Sequence, residues 1–557
     1  MRSRFGFSIL LLMSISVAAW AINDSPETTA PAPARGEVMA ERIFQQEARL
    51  VDNMHNYTPL VETYIQRLKP DADLSTQPDK DRYFLGRLAL GTKGPMSTAF
   101  NDNNKARFIT RALDRLNSFY RINYGHLGFM QMVFLNDQFD KEHYQLKYLR
   151  QQFLGEVRTL VFDVQPLAHN DQMRFQGRIW VEDHDYNIVR INGTYGPNTE
   201  TRFYLHFDTW RMNLQPGVWL PAYVYTEETD AQRFSERKLA MKGQTRLWGY
   251  DLKHSGQQSE FTDMQVDAAD ATDTSSRGPN EAQPVQSQHL WEREAEDNVL
   301  DRMERAAILA PDGEVSKVLQ TVVNNLEVTN NLNIEPEVRC RILLTTPLES
   351  FTVGHTIVVS RGLLDVLPDE ASLAMVLSHE LGHIALGHRI NTKYAFSDRM
   401  LFTDEQVFRQ LGLVQNEADE QTADLKGLEL LRNSPYKDKL GTAGLFLVAL
   451  ANRSRDLTWL VSPHFGNRLA GTGPIRQAAQ AQAPKLERKN IAQIPALPLG
   501  SRVKLDPWSD RVEMLKSKPV ALLSVRDKMS FEVTPVYPNL VMLPTASTRE
   551  IAAKPAQ

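Results

Sequence analysis

The sequence predicts a multidomain α+β protein, in which a mainly helical unit with an HExxH helix and a small sheet is preceded by a strand-rich antiparallel domain. Three observations predict it. Between about Gln131 and Tyr250, apolar and polar residues alternate in repeated short runs, the period of strands with one covered face. Residues 254–288 are rich in Ser, Asp, Gln and Thr and nearly free of large apolar side chains, the composition of a linker. Beyond it, DEASLAMVLSHELGHIALGH is apolar almost all round, as a buried helix is. A length of 557 residues allows two to four domains, and 42% hydrophobic residues suffices for a core in each.

From the N-terminus, residues 1–21 combine two arginines, an apolar stretch from about Phe5 to Val17, and Ala19-Trp20-Ala21. These are the parts of a secretory signal peptide, with cleavage expected after Ala21 and a periplasmic destination. No later window reaches the roughly 20 apolar residues of a membrane span, and no cysteine follows the cleavage site to take lipid. The single cysteine, Cys340, excludes an intramolecular disulfide and a cysteine-rich zinc site. A net charge of −5 argues against a nucleic-acid partner.

Residues 22–37 read as a flexible leader to a first domain, 38–253. Apolar residues at Ile43, Leu50, Met54, Leu60, Val61 and Ile65 predict a helix from Val38 to Lys69, stopped by Pro70. A second helix is expected from Phe108 to Tyr120. Strands follow at Arg174–Val181 and Asn187–Tyr195, joined by a turn at Asp183-His184-Asp185, and the runs TRFYLHFDTWRM, VWLPAYVYTEE and KLAMKGQTRLWGY continue the meander. Its strand order and phrasing faintly resemble the half-barrel of periplasmic lipoprotein-carrier and sensor domains. The aromatics Phe203, Tyr204, Phe207, Trp210, Trp219 and Tyr223 read either as core or as a ligand-binding stripe.

The second unit, 289–475, opens with helices near 290–309 and 314–326. CRILLTT and Phe351–Val359 supply strands, the latter an edge on which an extended peptide can lie. GTAGLFLVALANR is a further helix. Residues 476–557 are expected to be a connector and a small β-rich appendage, or an arm laid on the preceding unit, and no 34-residue helical repeat is visible.

The chemistry is concentrated in Ser378-His379-Glu380-Leu381-Gly382-His383. At about 100° per residue, His379 and His383 lie within about 40° on one helix face and can share a metal ion. Glu380 sits beside them, outside the ligand set, as the general base of a zinc hydrolase does. Two satisfied core histidines would be the alternative, but that leaves a buried glutamate to explain. His388 is nine residues from His379, half a turn round a continuous helix, and reads as structural or as support for a ligand. In NEADEQTADLKGLELL, Glu420 and Asp424 share a helix face. Glu420 can ligate, while Asp424 can accept the Nδ1 hydrogen of a ligand histidine. Such spacing is also common on solvated helices.

HELGHIALGH followed by ExxADxxG, Glu420 to Gly427, resembles the gluzincin zinc metallopeptidase family of HtpX, the type I CAAX prenyl proteases and soluble periplasmic BepA-type proteases, over about residues 290–475. The resemblance implies His379, His383 and Glu420 as ligands of one Zn2+ per chain, Glu380 as base and Asp424 as support. Glu417 competes with Glu420, but lacks the glycine in register. The family's Asn-Ala-Phe is replaced by Glu349-Ser350-Phe351. Its His-Pro segment and later arginine correspond to Ser462-Pro463-His464-Phe465-Gly466-Asn467-Arg468. By the resemblance His464 stabilises the oxyanion or latches the open coordination position; a plain surface histidine is the other reading, and Arg468 and Arg476 are weaker candidates for the electrostatic task. What this implies is an exported zinc metalloendopeptidase acting on unfolded or misassembled envelope polypeptides, its first domain meeting substrate, a partner or the membrane surface. The alternative is a lipid or lipoprotein carrier with a structural or latched zinc site.

Overall fold

The computed structural model describes residues 33–250, 284–389, 413–485, 503–505, 512–514 and 540–543, except 72–74, 92–93, 100–128, 136–137, 168–173, 196–204, 229–239, 464 and 470–472. The expected signal peptide, the Phe108–Tyr120 helix, Phe203, Tyr204, His464 and most of the linker and appendage lie outside these residues. Among the described residues, no helix is long and apolar enough to cross a membrane.

Helix α1 (Pro33–Met54) leads into three strands, β1 (Leu60–Asp71), β2 (Ser75–Gly91) and β3 (Gly94–Ala99). After the short helix α2 (Met130–Val133), seven more follow: β4 (Tyr144–Leu154), β5 (Val157–Pro166), β6 (Phe175–Glu182), β7 (Ile188–Tyr195), β8 (Leu205–Gln215), β9 (Val218–Glu228) and β10 (Ala240–Trp248). They form one ten-stranded sheet in the order β3-β2-β1-β10-β9-β8-β7-β6-β5-β4. The first three strands step outward from β1, and the chain then crosses to the far edge and returns strand by strand to β10, which pairs antiparallel with β1.

The meander from β6 onward follows the sequence expectation, but the start does not. The predicted helix from Val38 to Lys69 is a helix only to Met54, and it begins at Pro33, inside the expected leader. Residues 60–71 are a central strand that runs through Pro70. Its described pairing with β10 runs from Leu60 to Leu68, and β2 pairs with it as far as Asp71, with Thr76 opposite Pro70. One face of the sheet packs on α1 and α2 through Val61, Ile65, Ile179, Val181 and Ile191, with Ile43, Met54, Phe129 and Met132 opposite. On the other face Tyr64, Tyr83, Leu85 and Trp248 join the core of the second unit. Phe207, Trp210, Trp219 and Tyr223 are buried in these two cores.

The second unit starts with α3 (Pro284–Arg305), five residues inside the expected linker, and α4 (Glu314–Thr329). Strands β11 (Arg339–Leu343), β12 (Glu349–Val353), β13 (Thr356–Ser360) and β14 (Asn467–Arg468) form a sheet in the order β11-β13-β12-β14. The single strand expected over Phe351–Val359 is thus a hairpin, turned at Gly354, whose φ of 57° suits glycine. Its outer strand β12 is paired with β14 at Glu349 and Ser350, so that part of the expected free edge is occupied.

Helix α5 (Arg361–Val366) and the HExxH helix α6 (Glu370–Ala385) follow, then α7 (Glu417–Arg432), α8 (Gly441–Arg453), α9 (Thr458–Val461) and α10 (Pro474–Gln482). The last of these was expected in the connector; it packs on α7 and α8. Strands β15 (Val503–Leu505) and β16 (Val512–Met514) form a hairpin lying against α4 and α5, as an arm on the second unit. Residues 540–543 continue onto the first domain, where Glu156 N donates to Leu540 O at 3.0 Å and Leu543 N to Asn213 Oδ1 at 2.7 Å.

Candidate metal centre

Asp369 caps α6 by accepting from Ser372 N at 2.8 Å, and every residue from Ala371 to Ile384 is buried. A helix with no outward face must satisfy its polar residues inside the protein. For His379, Glu380 and His383 the partners come from α7 and β12. Asn416 caps α7 by accepting from Asp419 N at 2.9 Å, which places Glu420 in its first turn. The two helices pack backbone to backbone. A Cβ at Gly382 would stand 2.6 Å from Ala423 O, and one at Gly427 2.7 Å from Ser378 O, so the glycines of HELGH and ADLKG both permit the approach.

That approach brings three ligating atoms within 4.8 Å of one another: those of His379, His383 and Glu420. His379 Nε2 lies 3.2 Å from His383 Nε2, His379 Nε2 lies 3.4 Å from Glu420 Oε2, and His383 Nε2 lies 3.2 Å from Glu420 Oε1. Ligands about 2.0–2.1 Å from a tetrahedral zinc ion are separated by about 3.3 Å, a spacing close to that of the two imidazole nitrogens and of each from a Glu420 oxygen. Glu417 is exposed and takes no part in the cluster.

The outer ring nitrogens are engaged as well. His379 Nδ1 meets Asp424 Oδ1 at 2.6 Å, and Gly473 leaves room for that carboxylate. A hydrogen held on Nδ1 turns the Nε2 lone pair toward Glu420. For His383 the partner is His388, Nδ1 to Nδ1 at 2.9 Å, and His388 Nε2 reaches Thr422 Oγ1 at 3.3 Å. The expectation that His388 faces away assumed a continuous helix. The helix instead ends at Ala385, and Gly387, at φ 71°, turns the chain back so that His388 meets His383.

Charge in the pocket is arranged for a cation. Burial alone would lower the His379 imidazolium, but its bonds to Asp424 and Glu420 and the nearby charge of Glu380 raise it to about 10. Burial pushes the Glu420 carboxyl up, and the two histidines more than offset this and hold it at about 2. Glu380, 1% exposed, accepts from Ser350 Oγ at 2.6 Å through Oε1, while its Oε2 is buried with no hydrogen-bond partner among the described residues.

Of the other expected site residues, Arg468 pairs through its backbone with Glu349, and Arg476 is half-buried on α10. Sequence reasoning noted Ser350 and Glu349 only as a departure from the family's Asn-Ala-Phe and gave neither a role. Glu349 is fully buried and accepts from Thr345 Oγ1, Phe465 N and Gly466 N at 3.2, 2.8 and 3.1 Å. A charged residue in an otherwise apolar strand was the signal available.

Comparison with known proteins bears on this unit. The model of Peptidase family M48 matches residues 315–474. Metalloprotease LoiP of Escherichia coli (strain K12) is 33% identical over 94 residues, which is 16% of this chain and 36% of that protein. The chain thus spans about a third of the length of the curated relative it matches. Residues 315–474, in which the two HExxH histidines and a downstream glutamate converge, are thus similar to Peptidase family M48 and, over part of their length, to a metalloprotease.

Proposed function

We propose that the protein is an exported zinc-dependent metalloendopeptidase that hydrolyses peptide bonds of unfolded or misassembled envelope polypeptides. The observation that carries the reading is the convergence of His379 Nε2, His383 Nε2 and a Glu420 carboxylate oxygen, with Glu380 Oε2 buried on the same helix and without a hydrogen-bond partner among the described residues. A zinc ion held by these three residues would supply Lewis acidity and ease the ionisation of water. Glu380 takes the proton of the attacking water and returns it to the leaving amine. Asp424 and His388 hold the ligand rings in orientation, and the buried surroundings strengthen each of these interactions. The exported location and envelope substrates rest on residues 1–21 and on the family resemblance.

The reading is tested with purified mature protein, unfolded casein and zinc quantification, beside Glu380→Gln and His464→Ala. One zinc per chain is expected in all three. Cleavage should fall by about 10³-fold in Glu380→Gln. Wild-type cleavage by Glu380→Gln would remove Glu380 from the role of base. Silence in the wild type but activity in His464→Ala would identify a latched peptidase, and silence in both would sink the reading.

A further inference from the structure

The two oxygens of Glu380 have different surroundings, and a residue on another element makes the difference. Ser350 stands on β12, where its backbone is paired with Val359 on one side and Asn467 on the other. With the main chain fixed on both sides, its hydroxyl position depends on one side-chain torsion. That hydroxyl reaches Glu380 Oε1 at 2.6 Å, inside the range of a strong bond between a hydroxyl and a carboxylate. Both residues are buried, Ser350 at 5% and Glu380 at 1% exposure, so water does not compete for the bond. A serine hydroxyl has a single hydrogen to give, and here it goes to Oε1.

We infer that Ser350 is the positioning residue of the base: by tying down Oε1 it leaves Oε2 as the oxygen that receives the proton. The inference rests on Glu380 being the base. Rotation about the last side-chain bond of a glutamate is broad and roughly two-fold. Without a donor on one oxygen, the carboxylate turns and Oε2 leaves its place. The neighbouring Glu349 reinforces the arrangement, because its hold on Phe465 N and Gly466 N fixes the chain that enters β14 against Ser350.

The test compares full-length wild type with Ser350→Ala, Ser350→Thr and Glu380→Gln. It measures kcat and KM on a fluorogenic peptide, zinc affinity by chelator competition, and affinity for a peptide hydroxamate, whose acidic proton is received by the same carboxylate. Ser350→Ala should bind zinc as the wild type does and keep its KM, while kcat falls about tenfold and the hydroxamate binds about tenfold more weakly. Ser350→Thr, which keeps the hydroxyl, should recover most of both losses. Unchanged kcat and hydroxamate affinity in Ser350→Ala would overturn the inference. So would a well-folded Ser350→Thr that binds the hydroxamate no better than Ser350→Ala; if the threonine variant does not fold, the hydroxamate affinity of Ser350→Ala decides alone. Turnover by Glu380→Gln at the wild-type rate would mark a failure of the base assignment itself. An inactive Glu380→Gln beside an unimpaired Ser350→Ala would keep the base and remove Ser350 from its role.

Discussion

On the face of the ten-stranded sheet that meets α1, the buried ion pair is internal to the first domain: Arg211 donates to Glu47 through both guanidinium ends, at 2.6 and 2.7 Å. On the opposite face, two carboxylates leave the domain. Glu62, on β1, accepts from Thr346 N at 2.5 Å and Thr346 Oγ1 at 2.8 Å, with Arg361 at 3.3 Å and Arg246 at 3.5 Å. Asp81, on β2, accepts from Trp459 N at 3.0 Å and Leu460 N at 2.8 Å. Both targets lie just upstream of the strand pair that holds Ser350, the partner of Glu380: Thr346 before β12 and α9 before β14. One face closes a core; the other is part of the frame of the metal centre. The hairpin of β1 and β2 therefore supports the elements around the candidate metal centre directly.

Breaking the frame should have the largest effect. Glu62→Ala leaves the charges of Arg246 and Arg361 buried without their carboxylate, and removal of one partner from such a cluster costs about 3–5 kcal/mol. Urea unfolding should report that loss. Peptide turnover should fall with it while the zinc affinity of the folded fraction is kept, because no metal-binding side chain touches Glu62. A cost below about 1 kcal/mol would mean that the interface is an ordinary contact and the comparison of faces is empty.

The two regions were also unequally legible in the sequence. The metal centre was readable because His379 and His383 sit on one helix, where spacing fixes geometry, and because Glu420, Asp424 and Gly427 sit on another. The frame was not. In β1, Leu60 and Tyr64 face one core and Val61 and Ile65 the other, with Glu62, Thr63 and Gln66 buried between them, so apolar and polar residues fall on both faces and the period-2 signal of a strand is erased. Ser350 was illegible for a different reason: its partner is 30 residues away on another element, and a serine in a strand carries no periodic signal. His388, read as structural or as support for a ligand, does meet the His383 ring, but it was expected to face away because the end of the helix at Ala385 and the turn at Gly387 show in no periodicity.

Asp81 sharpens the comparison through pH. Burial raises its carboxyl from 3.8 to about 6, against the pull of Trp459 N, Leu460 N, the Tyr64 hydroxyl and Arg82. Between these values the folded protein holds a proton that the unfolded chain has released. The contribution of this group to stability is complete below about pH 4 and is lost as pH rises through about 6. Asp81→Asn should remove the slope, so that from pH 4 to 7 the wild type loses on the order of 2 to 3 kcal/mol relative to the variant. Thermal or urea denaturation at stepped pH measures this, and parallel curves for the two proteins would show that Asp81 does not titrate across the interface.

The smallest effect is expected on the closed face, and it is the control for the other two. Replacing a buried ion pair by apolar groups of similar volume is often close to neutral, because the desolvation of both charges is relieved together. Glu47→Leu with Arg211→Met removes both members of the pair; Leu135 N, which donates to Glu47 Oε1 at 3.1 Å, loses that acceptor, and the Ile188 and Val133 carbonyls each lose a 3.3 Å bond from Arg211. The unpaired main-chain donor costs about 1–3 kcal/mol, the two long carbonyl bonds add to it, and the relief of the two charges offsets part of the total, leaving a net loss of about 1–2 kcal/mol. Either single substitution should cost more than the double, since it strands a charge between α1 and the sheet. Peptide turnover by the double variant should match the wild type, because nothing on this face reaches Thr346 or α9. If the double variant instead lost turnover while remaining folded, strain would be passing through the sheet from one face to the other, and the division between a closed face and a framing face would not hold.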